Sequence, residues 1–257
     1  LHPEITLKVL DRKIRIGAVS YLNTKPLIYG LERGSIREKI ELISDYPANV
    51  ATKLIEGSID IGLVPVTVFD KVPHAQIIGE YGIGCDGAVD SVAIFSEVPI
   101  EQITTIILDY QSRTSVALAQ LLMREYWKKE IQWIPASNED FKAQIKKDTA
   151  AIIIGDRALQ QKQHSMFMYD LGEAWKLHTG LPFVFACWIA NKPINNAFIK
   201  EFNDANRLGF ENLEQIVLEA KIGFTDLYKY YTHYIKYELD DQMKKGMELF
   251  RKKLLSL

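Results

Sequence analysis

The chain has 257 residues, 47% hydrophobic and 25% charged, which is enough apolar content for a sizeable core and argues against a disordered protein. Its 31 basic and 33 acidic side chains give a formal net charge of -2 and are spread along the chain; without a concentrated basic stripe, nucleic acid is excluded as a partner. No apolar run approaches the roughly 20 residues that span a bilayer, so no membrane partner is expected.

The opening stretch LHPEITLKVLDRK has no uninterrupted apolar core of the kind an export signal needs, and a cytoplasmic location is expected. Cys85 and Cys187 are far apart and belong to no CxxC or Cys/His cluster. They predict two reduced thiols rather than a zinc site or a disulfide framework.

In chain order, 14–19 predicts a strand, 20–24 a polar loop, and Pro26 the first turn of a helix. The pattern repeats, with a strand over 41–44, a helix over 47–56 ending at Gly57, and a strand over 59–64. Such alternation predicts a mainly parallel sheet. Residues 75–83 and 88–95 read as longer strands, the second able to carry the chain out of a first lobe. A second set follows: a strand over 105–108, a loop over 109–113, an amphipathic helix to about Tyr126, a helix over 139–147 and a buried strand over 150–154. Gly155-Asp156-Arg157 then turns into a further helix. The apolar strand 182–190 crosses back, and 195–257 reads as almost entirely helical, with Gly209, Gly223 and Gly246 as possible interruptions. The expected architecture is therefore α/β and two-lobed, with 1–95 plus 190–257 in one lobe and 96–189 in the other. A ligand cleft lies between them, beyond the carboxyl ends of the strands.

The small polar residues cluster at those strand ends. Ser112-Arg113-Thr114-Ser115 opens a helix, whose free N–H groups and dipole can hold a carboxylate, with Arg113 and the hydroxyls as further donors. Simple N-capping by Ser112 or Thr114 explains the same residues. In the first lobe, Ser20 and Asn23 occupy the corresponding loop and can grip a hydroxyl and a carboxylate, or merely form an Asx turn. Ser91 falls where the chain leaves the first lobe, and Gly155 and Asp156 start a helix at the end of a buried strand. These complete a pocket or else only satisfy a strand edge and cap a helix.

Familiar catalytic hardware is missing. The five histidines are scattered, and there is no HExxH, GxSxG or P-loop. The GxGxxG string over 82–87 precedes a strand rather than opening a helix, so it reads as a loop between strands. The tyrosine-rich stretch 228–237 reads as an amphipathic helix covering a lobe. No nucleotide, metal or other cofactor is implied.

The string IGAVSYLNTKPL over 16–27 resembles the N-terminal signature of the chorismate dehydratases of menaquinone biosynthesis. The resemblance continues through GSIDIGLVP (57–65), SRTSV (112–116), Gly155-Asp156, DLGEAW (170–175) and TGLPFVFA (179–186), covering most of 14–190. It implies a type II periplasmic-binding-protein fold used as an enzyme. It also implies the reaction, in which chorismate loses its ring hydroxyl and a ring proton to give 3-[(1-carboxyvinyl)oxy]benzoate, the first step of the futalosine route. By the same resemblance Asn23 and Ser91 stand at the reacting ring, while Ser112, Thr114 and Ser115 hold a carboxylate. The base is then a cleft carboxylate or the substrate's own enolpyruvyl carboxylate. Two alternatives stand beside this one. A non-catalytic small-acid receptor would share the fold but would normally be exported. The dihydroxynaphthoate synthase of the same pathway has a Pro- and Cys-containing first loop, which 20–24 does not resemble.

Overall fold

The computed structural model describes residues 12–256. The stretch in which the sequence shows no export signal lies almost wholly outside the described residues, as does the N-terminal part assigned to the first lobe. Strand β1 (Ile14–Ala18) runs through a short turn into helix α1 (Lys25–Arg33), where Pro26 sits in the first turn and forfeits no hydrogen bond. Next come β2 (Ile40–Ser44), α2 (Pro47–Ile55), β3 (Ile61–Pro65) and β4 (Gln76–Cys85). The second group is β5 (Val92–Ser96), β6 (Thr105–Leu108), α3 (Arg113–Glu125), β7 (Gln132–Pro135), β8 (Thr149–Ile154), α4 (Asp156–Gln161), β9 (Phe167–Asp170) and α5 (Leu171–Thr179). The chain returns through β10 (Phe183–Ala190) to α6 (Asn196–Phe210), α7 (Leu213–Ala220), the single turn α8 (Leu227–Lys229), β11 (Lys236–Glu238) and α9 (Asp241–Leu254).

The strands form two sheets, in the orders β11-β4-β10-β3-β1-β2 and β7-β6-β8-β5-β9. β1 pairs in parallel with β2 and β3, and β6 pairs in parallel with β7 and β8. The strands that cross between the sets run antiparallel to their neighbours: β10 to β3 and β4, and β5 to β8 and β9. Hydrogen bonding therefore divides the chain elsewhere than the sequence reading does. β5, read there with the first lobe, belongs to the second sheet, and β10, read there with the second lobe, belongs to the first. Both strands are buried on both faces, and an unbroken apolar run identifies a strand without identifying its partners.

Three local readings also change. Gly82 and Gly84 lie inside β4 rather than in a loop, and a Cβ on Gly84 would stand 2.3 Å from the Phe183 carbonyl oxygen of β10. The stretch 139–147 contains only the 3₁₀ turn Glu139–Gln144. Over 230–238 the chain forms a π turn (Tyr230–Tyr234) and then β11, which pairs with β4, instead of a continuous amphipathic helix. Gly209 and Gly246 do not interrupt their helices. They let α6 and α9 press onto the Pro26 and Pro182 carbonyls, which a Cβ would approach to 1.7 and 2.0 Å. The aromatic core closes behind β10, where Trp175, Phe183 and Phe250 pack edge to face with centroids 4.8 to 5.8 Å apart.

Candidate active site between the two sheets

A partly open cavity lies where the two sheets face each other. The turn after β1 contributes Val19, Tyr21, Asn23 and Thr24, and the segment joining β4 to β5 contributes Val89 and Ser91. From the second sheet come Gln111, Ser112, Thr114 and Ser115 before and within the first turn of α3, and Gly155 ahead of α4. Leu63, Ile83, Ile154 and Phe185 supply apolar wall, giving the usual form of a small-molecule site, an apolar bowl with a few convergent polar groups.

Six of the nine residues singled out from sequence line this cavity: Asn23, Ser91, Ser112, Thr114, Ser115 and Gly155. Ser112 caps α3, its Oγ accepting the Ser115 N–H at 3.1 Å and donating to Ser115 Oγ at 2.7 Å. Capping and ligand binding are therefore compatible readings, because the cap spends one donor while the positive end of a 13-residue helix still faces the cavity. Gly155 adopts φ 61 and ψ -144, a conformation essentially closed to other residues, and lets the chain turn from β8 into α4 beside the Tyr21 ring.

The other three do not line it. Ser20 is exposed because the preceding Val19 takes the inward direction, and side chains alternate along extended backbone. Arg113 is exposed on the outer side of α3, whose buried face begins with Thr114 and Ser115. Asp156 lies beyond the cavity wall, where its Oδ1 accepts the Leu22 N–H at 3.1 Å and ties the second sheet's α4 to the first sheet's loop. Burial pushes its carboxyl above the ordinary value, against the pull of that hydrogen bond. Among the described residues that line the cavity there is no Asp, Glu, His, Lys or Arg.

The family model for menaquinone biosynthesis matches residues 14–255, which takes in both sheets and every wall of this cavity. The chain belongs to the menaquinone biosynthesis family. Within that family's frame, the chain is similar to the chorismate dehydratase of Thermus thermophilus, at 25% identity over 93% of this chain and 94% of the relative. Solved structures share its fold. A protein from Archaeoglobus fulgidus has a TM-score of 0.75 at 12% identity, covering 95% of this chain and 97% of its own. A Candida albicans protein, described as having the generic periplasmic binding protein fold, has a TM-score of 0.67 at 11% identity over 96% and 91%. The periplasmic aliphatic sulphonate binding protein SsuA of Escherichia coli has a TM-score of 0.63 at 17% identity over 95% and 93%. The fold is thus the two-lobed periplasmic-binding-protein type.

Reading the sequence of this menaquinone biosynthesis family member missed several residues that line or brace its site. Tyr21 donates its phenol proton to Gln111 Oε1 across the cleft, and Arg157 Nη2 donates to the same oxygen at 3.0 Å. Arg157 also forks onto buried Asp109 at 2.8 and 3.0 Å. Tyr21, Gln111, Asp156 and Arg157 line a second, outer cavity that shares Tyr21, Pro47 and Gln111 with the inner one, so Arg157 is the guanidinium at the cleft mouth that Arg113 is not. On the opposite side Tyr230 donates to Ser91 Oγ at 2.7 Å and Tyr237 donates to the Asn23 carbonyl at 2.9 Å. The density of tyrosine over 228–237 was the only hint of this in the sequence, and an amphipathic helix accounted for it equally well.

Proposed function

We propose that the chain is an enzyme, a hydro-lyase that converts chorismate to 3-[(1-carboxyvinyl)oxy]benzoate and water as a cytoplasmic step of menaquinone biosynthesis. Support comes from membership of the family, the likeness to the Thermus thermophilus chorismate dehydratase along almost the whole chain, and the sequence motifs that fall on the cavity.

The observation that carries the mechanism is the described wall without carboxylates, imidazoles or cations. Removal of a ring proton and the ring hydroxyl makes an aromatic ring, so the driving force is large and a weak base suffices. Asp156 is engaged by the Leu22 amide and stands outside the cavity, which leaves the substrate's own enolpyruvyl carboxylate as the base. The ring C–H proton passes to that carboxylate, the C–H electrons become part of the aromatic system, and the C–O bond breaks with its electron pair going to oxygen. The proton then leaves with that oxygen as water. The protein binds and orients. Backbone and hydroxyl donors at Ser112, Thr114 and Ser115 hold a substrate carboxylate at the α3 N-terminus. Asn23 and Ser91 hydrogen-bond to the ring substituents, and Gly155 keeps the wall open.

Purified protein incubated with chorismate, with substrate and product followed by liquid chromatography and mass spectrometry, tests this reading. Product is expected with wild type, and Asn23→Ala is expected to lower turnover by about 100-fold through the loss of an orienting hydrogen-bonding group. Undiminished turnover in Asn23→Ala removes that residue's role. Tight binding of chorismate without product would mark a receptor instead.

A further inference from the structure

Two tyrosines from the segment that edges the first sheet hold the two residues assigned to the reacting ring. Tyr230 is 1% exposed, and its bond to Ser91 Oγ is buried. Among the described residues, the Ser91 hydroxyl's other neighbour is the Val89 carbonyl at 3.5 Å, the outer limit of a hydrogen bond. A hydroxyl has one proton to donate and two lone pairs with which to accept. The Tyr230 proton fills one lone pair, and the distant Val89 carbonyl competes poorly for the Ser91 proton, which is therefore free for an oxygen in the cavity that Ser91 lines. A phenol is a stronger donor than an aliphatic hydroxyl, and burial holds Tyr230 neutral far above the ordinary phenol range. The phenol therefore keeps its proton at neutral pH. The π turn Tyr230–Tyr234 buries the side chains of both Tyr230 and Tyr231, and Tyr237 follows on β11 to pin the main chain at Asn23.

We infer that Tyr230 is a positioning residue which occupies the acceptor side of Ser91 and so commits the Ser91 O–H to donate to the hydroxyl that leaves the ring. No proton is transferred from Ser91. Its hydrogen bond strengthens as negative charge builds on the departing oxygen, and that oxygen's second proton comes from the ring carbon. Tyr237 holds the main chain at Asn23 through its carbonyl. This inference rests on the reading of the chain as a chorismate dehydratase.

Tyr230→Phe keeps the ring that packs and removes only the phenol hydroxyl. Its kcat and KM for chorismate are compared with those of wild type, Ser91→Ala, the double variant and Tyr228→Phe, an exposed tyrosine of the same segment. The expected result is a kcat lower by about tenfold to 100-fold, with KM within about threefold of wild type. In the Ser91→Ala background, Tyr230→Phe is expected to cost less than about twofold more, because the two hydroxyls act as one unit. Tyr228→Phe is expected to match wild type. An unchanged kcat in Tyr230→Phe, or an equal loss with and without Ser91, overturns the inference while wild-type turnover keeps the dehydratase reading. Wild type that gives no product overturns both. If Tyr230→Phe fails to fold, 3-fluoro- and 3,5-difluorotyrosine at position 230 keep the hydroxyl while making it a stepwise stronger donor. A kcat that moves in step with phenol acidity supports the inference, and a flat series overturns it.

Discussion

Asp60 shows how one side chain can join segments distant in sequence. Its carboxylate accepts the Arg15 N–H at 2.9 Å, Arg15 Nη2 at 3.1 Å and Lys192 Nζ at 2.9 Å, tying β1, the start of β3 and the end of β10 together. Burial by itself would raise its pKa, but the hydrogen bonds from Arg15 and Lys192 outweigh it and hold the carboxyl at about 2. A folded pKa below the unfolded value stabilises the fold above roughly pH 4, and the gain is lost as pH falls through the folded value. Asp60→Asn is therefore expected to lower stability by about 2 kcal/mol at pH 7, with the gap from wild type shrinking as the pH approaches about 2. Urea unfolding at both pH values checks this, and a variant as stable as wild type at pH 7 contradicts it.

At the scale of elements, the segment that carries Ser91 is fixed by the helix cap of α5. Asp170 accepts the Gly172 and Glu173 N–H groups at 2.9 and 3.0 Å as an N-cap, and the same carboxylate accepts the Val89 and Asp90 N–H groups at 3.0 and 2.7 Å. An N-cap is worth about 1 kcal/mol, and each buried N–H left without a partner costs roughly 1–3 kcal/mol. Asp170→Ala is thus expected to lose about 3 kcal/mol or more and to cut turnover by releasing the main chain next to Ser91. A loss near 1 kcal/mol with normal turnover would reduce Asp170 to a simple cap. The motif DLGEAW marked this stretch in the sequence by resemblance, and the amides two and three positions after Asp170 were within reach of that string. The second pair of amides was not, because they lie about 80 positions away.

Across the whole molecule, the cleft is closed by bonds that join its two sides: Leu22 N–H to Asp156, Tyr21 to Gln111, and Thr67 with Thr114 at 3.3 Å. Tyr21, Gln111 and Thr114 also line the inner cavity, so opening and reclosure of this line is the expected route for a ligand to enter. Asp156→Ala removes one closing bond and is expected to enlarge the radius of gyration measured by small-angle X-ray scattering. Saturating 3-[(1-carboxyvinyl)oxy]benzoate is expected to return it to the wild-type value, since a ligand held by both sides favours the closed form. Identical scattering for the variant and wild type without ligand would show that Asp156 does not hold the cleft shut.

Sequence alone determined the α/β class, the repeated strand-loop-helix order and the motifs on strand-end loops, because hydrophobic period, turn residues and helix starts are local properties of the chain. Asn23, Ser91, Ser112, Thr114, Ser115 and Gly155 were legible for that reason and reach the cavity. Ser20, Arg113 and Asp156 stand on the same loops and helix starts, but such a position does not say which way a side chain faces. Only the tertiary structure decided the sheet membership of β5 and β10, the clasp of Tyr230 on Ser91 and Tyr237 on Asn23, and the absence of any carboxylate, imidazole or cation from the described cavity wall. Each depends on strand pairing and on contacts between residues far apart in sequence, which no local pattern encodes.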